Sequence, residues 1–71
     1  MERIIAFDVE TPNRLNNSIC SIGLTVIENG EVTASRDYLV NPYVDFDWQN
    51  IMIHGITPED VSFSPDFEEL W

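Results

Sequence analysis

Residues 3 to 10 read Arg-Ile-Ile-Ala-Phe-Asp-Val-Glu, an apolar stretch that ends in two acids and runs into Thr11-Pro12. No other stretch limits the fold as much. A continuous apolar run of this length suits a β-strand covered on both faces. Proline cannot donate to a ladder, so the strand stops before Pro12. Residues 11 to 17 carry loop chemistry. In the next run, 18 to 28, Cys20, Ile22, Leu24 and Val26 alternate with Ser21, Gly23 and Thr25, the period of a second strand. Asn29-Gly30 follows, the strongest short hairpin signal. It predicts a third strand over about 31 to 40, returning antiparallel and ended by Asn41-Pro42.

Residues 43 to 56 read as irregular, with Tyr43, Phe46 and Trp48 among them. Thr57-Pro58-Glu59-Asp60 then starts a short helix, with Thr57 as cap, Pro58 in the first position and Asp60 three residues after the cap. Ser64-Pro65-Asp66 repeats the signal and opens a second helix, which neither a glycine nor a basic last turn closes before Trp71. The predicted order is three strands, a short helix and the beginning of another. It describes the front part of one mixed α/β domain, with all of residues 1 to 71 in that single unit.

Charge narrows the function. Thirteen acids face three arginines and no lysine, a net charge of -10. Phosphate binding is driven by cationic side chains releasing counterions, and Arg3, Arg14 and Arg36 are too few. An acidic chain can still meet a phosphate when its carboxylates hold divalent cations. The apolar share, 44%, is that of a folded domain rather than a disordered tail. No apolar run approaches membrane-spanning length and no secretory leader opens the chain. One cysteine closes no intrachain disulfide, and no Cys/His cluster suggests zinc, so the expected compartment is the reducing cytosol.

The candidate chemistry sits where the first strand ends. With a period of two, Asp8 and Glu10 share one face, roughly 6.6 Å apart along the strand. Hard cations such as magnesium or manganese take oxygen ligands of this kind. The alternative for the pair is ordinary solvation of a strand end, and a second Asp-x-Glu, Asp66-Phe67-Glu68, lies at a helix start where acids merely complement the dipole. His54 reads either as a loop histidine bonded to neighbouring backbone or as part of a ligand pocket. Gly23 marks close packing or a substrate contact, and Cys20, on the apolar face with Ile22 and Leu24, core filler or a reactive thiol. The loop aromatics cap the sheet or stack on bases. Asp45-Phe46-Asp47 does not begin a calcium loop, because Asn50 and Ile56 stand where glycine and glutamate are required. Asn16-Asn17-Ser18 is a glycosylation sequon by letter only.

Phe7-Asp8-Val9-Glu10-Thr11 resembles the first motif of the DEDD 3'-5' exonuclease superfamily. This ribonuclease H-like group includes ribonuclease T and the proofreading epsilon subunit of bacterial DNA polymerase III, which the chain resembles in this reading. Other segments agree in order: Ser21-Ile22-Gly23 with the second strand, Asn29-Gly30 with the hairpin, Asn41-Pro42 with the stop after the third strand. Ile53-His54-Gly55-Ile56-Thr57 with Glu59-Asp60-Val61 is similar to the family's segment ahead of the helix that Ser64-Pro65-Asp66-Phe67 begins.

The resemblance implies an α/β, ribonuclease H-like fold in which Asp8 and Glu10 are catalytic and ligate Mg²⁺ or Mn²⁺, two ions in the complete domain. Val9, Thr11 and His54 would face the terminal nucleotide. The substrate would be a single-stranded or frayed 3' end of DNA, with RNA left open, released as nucleoside monophosphates, and a replicative polymerase would be the parent's partner. The family needs four acidic ligands from three motifs and a His or Tyr base. Residues 1 to 71 hold only the first motif, so this chain alone is expected to be inactive. His54 with Glu59 imitates the third motif's spacing, but Gly55 and Pro58 interrupt the helix that motif requires. The rival readings are a non-catalytic, nuclease-like interaction module and a generic acidic domain without metal. A first strand lacking its later neighbour would expose an apolar edge over residues 3 to 9, which predicts a homo-oligomer or a second fragment paired there.

Overall fold

A computed structural model describes residues 2–15 and 17–70. Met1, Asn16 of the sequon and Trp71, expected within the helix that Ser64-Pro65-Asp66 opens, lie outside the described residues. Three strands come first: β1 (Arg3–Glu10), β2 (Ser21–Glu28) and β3 (Glu31–Leu39). They form an antiparallel meander in the order β1-β2-β3. The β2–β3 turn is made by Asn29 (φ 52°) and Gly30 (φ 84°). Two consecutive left-handed residues match the right-handed twist of the flanking strands, and Asn and Gly are the residues that accept this backbone. The register slips between Val26 and Ile27, so Thr33 is left without an opposite partner. Its hydroxyl donates to the Glu28 carboxylate instead, 3.1 Å away.

The predicted strand bounds shift at two ends. β2 begins at Ser21 rather than 18, and β3 ends at Leu39. Pairing nevertheless continues through Cys20, whose N–H donates to the Glu10 carbonyl (2.9 Å) and whose carbonyl accepts from Val40 N–H (2.9 Å). Cys20 is thus the middle of three joined chain segments. There the core forms: Cys20, Ile22, Val40 and Val61 are buried.

The segment 43 to 56 departs from expectation. It contains a helix, α1 (Trp48–His54), begun at Asp47 and ended by Gly55 in the left-handed region (φ 76°), whose N–H donates to the Ile51 carbonyl. An acid at the cap and a glycine just past the end are the usual brackets of a helix. Asp47 makes no side-chain cap bond because its carboxylate is committed to the Arg14 N–H (3.0 Å). The second helix, α2 (Pro58–Val61), carries the predicted capping box: Thr57 Oγ1 accepts from Asp60 N–H and Asp60 Oδ2 from Thr57 N–H. α3 (Phe67–Leu70) begins where Ser64-Pro65-Asp66 predicted.

β1 is not covered on both faces. Among the described residues it pairs only with β2, and Ile4, Ile5, Phe7 and Val9 are 45–59% exposed. The two four-residue helices are too short to cover a sheet in a molecule 43 Å long, so the core lies at one end and the other stays bare. No helix of the described residues is long and apolar enough to cross a membrane.

Candidate functional site

Antiparallel pairing places opposed residues on the same face. Asp8 opposes Gly23, which opposes Asp37; Glu10 opposes Ser21. Asp8, Glu10 and Asp37 therefore share a face, with Glu10 half-buried and Asp8 exposed. Gly23 lets the third acid approach. A Cβ there would lie 2.8 Å from Asp37 Oδ1 and 3.7 Å from the Asp8 carbonyl oxygen, so the Asp37 carboxylate occupies the space over the bare glycine. The two sequence-predicted ligands share one face at the strand end.

These donors fit a hard divalent cation in kind, all oxygen and all anionic. They fall short in number, since no set of three or more His, Cys, Asp or Glu side chains among the described residues is gathered closely enough to hold a metal. An ion pair joins Arg14 to Asp47, 3.8 Å apart and exposed on the arginine side.

The backbone that follows these acids is strapped down by the segment 45 to 54. Pro12 carbonyl accepts from Asp47 N–H (2.8 Å). Asn13 is buried; its amide donates to the Asp45 carbonyl (3.0 Å) and accepts from Leu15 N–H (3.0 Å). Buried polar groups need such partners, and Asn13 has them on both ends of its amide. The Thr11 carbonyl lies 2.9 Å from His54 Nε2 and 3.1 Å from Asn50 Nδ2, and Asn50 Nδ2 is also 3.2 Å from Thr11 Oγ1.

His54 has a defined tautomer. Its Nδ1 accepts from Ile56 N–H (3.0 Å), so the proton sits on Nε2 and donates to the Thr11 carbonyl. Both ring nitrogens are spent on backbone, which leaves no free lone pair for a general base. Cys20 Sγ lies 3.9 Å from the same Nε2 and donates to the Glu10 carbonyl at 3.6 Å. Burial, and secondarily the Glu10 charge, push the Cys20 thiol above its ordinary range, outweighing the backbone hydrogen bond that lowers it. That keeps the thiol neutral and unreactive, in keeping with a core position.

On the opposite face of β1 lies a cavity of about 960 Å³, lined by apolar Phe7, Val9 and Ile22 and by polar Thr11, Ser18 and Asp66. The Ser18 hydroxyl is buried and has no partner among the described residues. Of the expected nucleotide contacts, Val9 and Thr11 line this cavity, while His54 reaches Thr11 without lining it. Of the loop aromatics, Tyr43 and Trp48 are exposed and Phe46 is half-buried. Sequence reasoning does not find Asn50. Its signal is its place four residues before His54, one turn back on the same helix face, which has meaning only once α1 is recognised.

No protein-family model and no curated protein matches the chain. A solved structure does: Exonuclease X in complex with 5' overhanging duplex DNA, 31% identical, with a TM-score of 0.82. The likeness covers 99% of this chain and 40% of that one. The architecture is accordingly the N-terminal part of a ribonuclease H-like exonuclease fold. The likeness supports the DEDD exonuclease superfamily and does not single out the epsilon subunit.

Proposed function

We infer that this chain is the front part of a divalent-metal-dependent 3'-5' exonuclease that acts on the 3' ends of DNA and releases nucleoside monophosphates. The observation that carries the reading is the pair Asp8 and Glu10 on one face at the end of β1, in a fold like that of an exonuclease in complex with DNA. Asp8 and Glu10 would hold Mg²⁺ or Mn²⁺. A bound cation of this kind supplies an activated water and charge stabilisation for the leaving 3' oxygen. It also answers the charge problem, since a chain of net charge -10 otherwise repels a phosphate backbone.

The chain's own residues have separate tasks. Val9 and Thr11 present backbone and side chain to the terminal nucleotide from the strand end. His54 holds the Thr11 carbonyl rather than moving a proton. The remaining acidic ligands and the base belong to segments with no counterpart in residues 1 to 71. An epsilon-like assignment, a polymerase partner, a frayed single-stranded 3' end and a cytosolic location are parts of the same proposal. The open backbone edge of β1 adds a neighbour, either a second copy or a separate fragment that completes the sheet. The incomplete shell favours a second reading, a nuclease-like interaction module without catalysis.

Manganese titration followed by paramagnetic broadening separates the two. A metal site centres the broadening on residues 8 to 11 and loses it in Asp8→Ala. Broadening spread evenly over all 13 acids overturns the metal reading. With a 3'-labelled strand and Mg²⁺, the isolated chain is expected to release no nucleotide. Release abolished by Asp8→Ala would overturn that inactivity.

A further inference from the structure

A surface helix ordinarily turns its apolar stripe to the core and its polar side to water. α1 does the reverse. Its inward side carries Asn50 and His54, whose side chains bond Thr11 and Ile56, with Ile51 half-buried beside them. Its outward side carries Trp48, Met52 and Ile53, which are 65%, 75% and 82% exposed. At the helical pitch, positions 48, 49, 52 and 53 form one arc of about 140°, in which Gln49 is the polar member. Single exposed apolar residues need no explanation, but three adjoining ones on one face mark an interaction surface.

That surface is preformed. At the start of α1 the Asp47 N–H donates to the Pro12 carbonyl (2.8 Å). Asn50 and His54 tie the body of the helix to the Thr11 carbonyl. At its end the Gly55 N–H donates to the Ile51 carbonyl. An arriving partner meets a helix already in place, with little left to order.

Charge selects the occupant. Residues 37 to 71 hold eight of the 13 acids and neither arginine nor lysine. Asp45 and Asp47 stand just ahead of Trp48, and Glu59 and Asp60 follow in α2. Arg14 is paired with Asp47, and Arg3 and Arg36 belong to strands. This segment therefore offers little to a phosphate backbone, which is held by free cationic side chains. A second copy would set the same acids against themselves, and like charges facing across an interface repel. An apolar face among carboxylates suits a partner that is apolar along its middle and cationic at its rim.

We propose that the outward face of α1 docks a cationic amphipathic helix of another protein, with Trp48, Met52 and Ile53 against its apolar side and its cationic rim among the carboxylates of residues 45 to 60. This surface stands apart from the exonuclease reading, because neither Asp8 nor Glu10 enters it.

The test uses the 71-residue chain, amide-resolved NMR and a helical peptide of leucine and lysine as probe, with a leucine–glutamate peptide of the same pattern as control. The cationic peptide is expected to shift amides centred on residues 48 to 53, and the anionic one to shift none. Met52→Ser combined with Ile53→Ser removes apolar contact without changing charge, and both side chains are exposed, so the fold is kept. That double variant is expected to weaken the cationic peptide about tenfold. Trp48→Ser, as an independent variant, is expected to weaken it by about as much. Shifts spread over all 13 acids, with affinity unchanged in both variants, would mean charge attraction alone and overturn the docking face. Shifts at 48 to 53 on concentrating the chain by itself would assign the face to a second copy, and the same shifts with a single-stranded oligonucleotide would assign it to nucleic acid. Either result overturns the cationic partner, as does binding of the anionic peptide or failure of the cationic one to bind.

Discussion

Replacing His54 by alanine removes the donor to the Thr11 carbonyl (2.9 Å) and the acceptor for Ile56 N–H (3.0 Å) in one change. The two losses are unequal. Thr11 keeps Asn50 as a partner, so its cost is that of one net hydrogen bond, about 1 kcal/mol. The Ile56 N–H is left half-buried without an acceptor, which costs roughly 1–2 kcal/mol. The expected destabilisation is about 2–3 kcal/mol. A chain of this size has a total stability of roughly 4–10 kcal/mol. Its bare sheet end argues for the lower part of that range. His54→Ala should therefore remove about half of the stability and lower the melting temperature by roughly 10–20 °C. Urea unfolding followed by far-UV circular dichroism measures it. His54→Phe, which restores the ring but neither hydrogen bond, should not recover the loss. A change below about 0.5 kcal/mol would refute the reasoning. It would mean that the ring does not hold the backbone and stands free for a ligand.

Three further outcomes follow from the same geometry. Cys20 has a raised folded pKa, so its contribution to stability is complete below the ordinary thiol range and is lost as pH rises through that range toward the folded value; urea melts at pH 7 and pH 10 should diverge more in the unmodified chain than in Cys20→Ala, and equal divergence would contradict the burial argument. Gly23→Ala should change stability by less than about 1 kcal/mol, because the atom it meets is the movable end of the exposed Asp37 side chain; a larger loss in thermal melts would show that the Asp37 position is rigidly held. Sedimentation at tens of micromolar, with an intact-mass check for a second polypeptide, should find a dimer or a bound fragment through β1; a monomer with protected amides throughout residues 3 to 9 would overturn that.

Much of the local structure is legible from neighbouring residues alone. A period of two puts Asp8 and Glu10 on one face, Asn29-Gly30 makes the left-handed turn, and Thr57 with Asp60 closes a reciprocal cap. In each case the cause lies within a few residues of the effect, in backbone sterics or in a side chain reaching its own turn. α1 escapes a sequence reading although Asp47 and Gly55 bracket it, because a seven-residue helix with no buried side chain shows no apolar period. The continuous run in β1 carries its hydrophobic pattern faithfully but not its cover, since cover is supplied by other elements and its apolar side chains stay exposed here.

The site divides in the same way. Sequence determines which acids point together, since strand geometry alone decides it. Only the tertiary structure decides that His54 bonds the Thr11 carbonyl, that Asn50 joins it, and that Cys20 lies beneath the Glu10 backbone. Those partners stand 43, 39 and 10 positions apart in the chain. No local rule links residues at such separations. Their meeting depends on the meander turning back on itself and carrying α1 against the end of β1, and a hydrogen bond of about 3 Å exists only after that path is fixed.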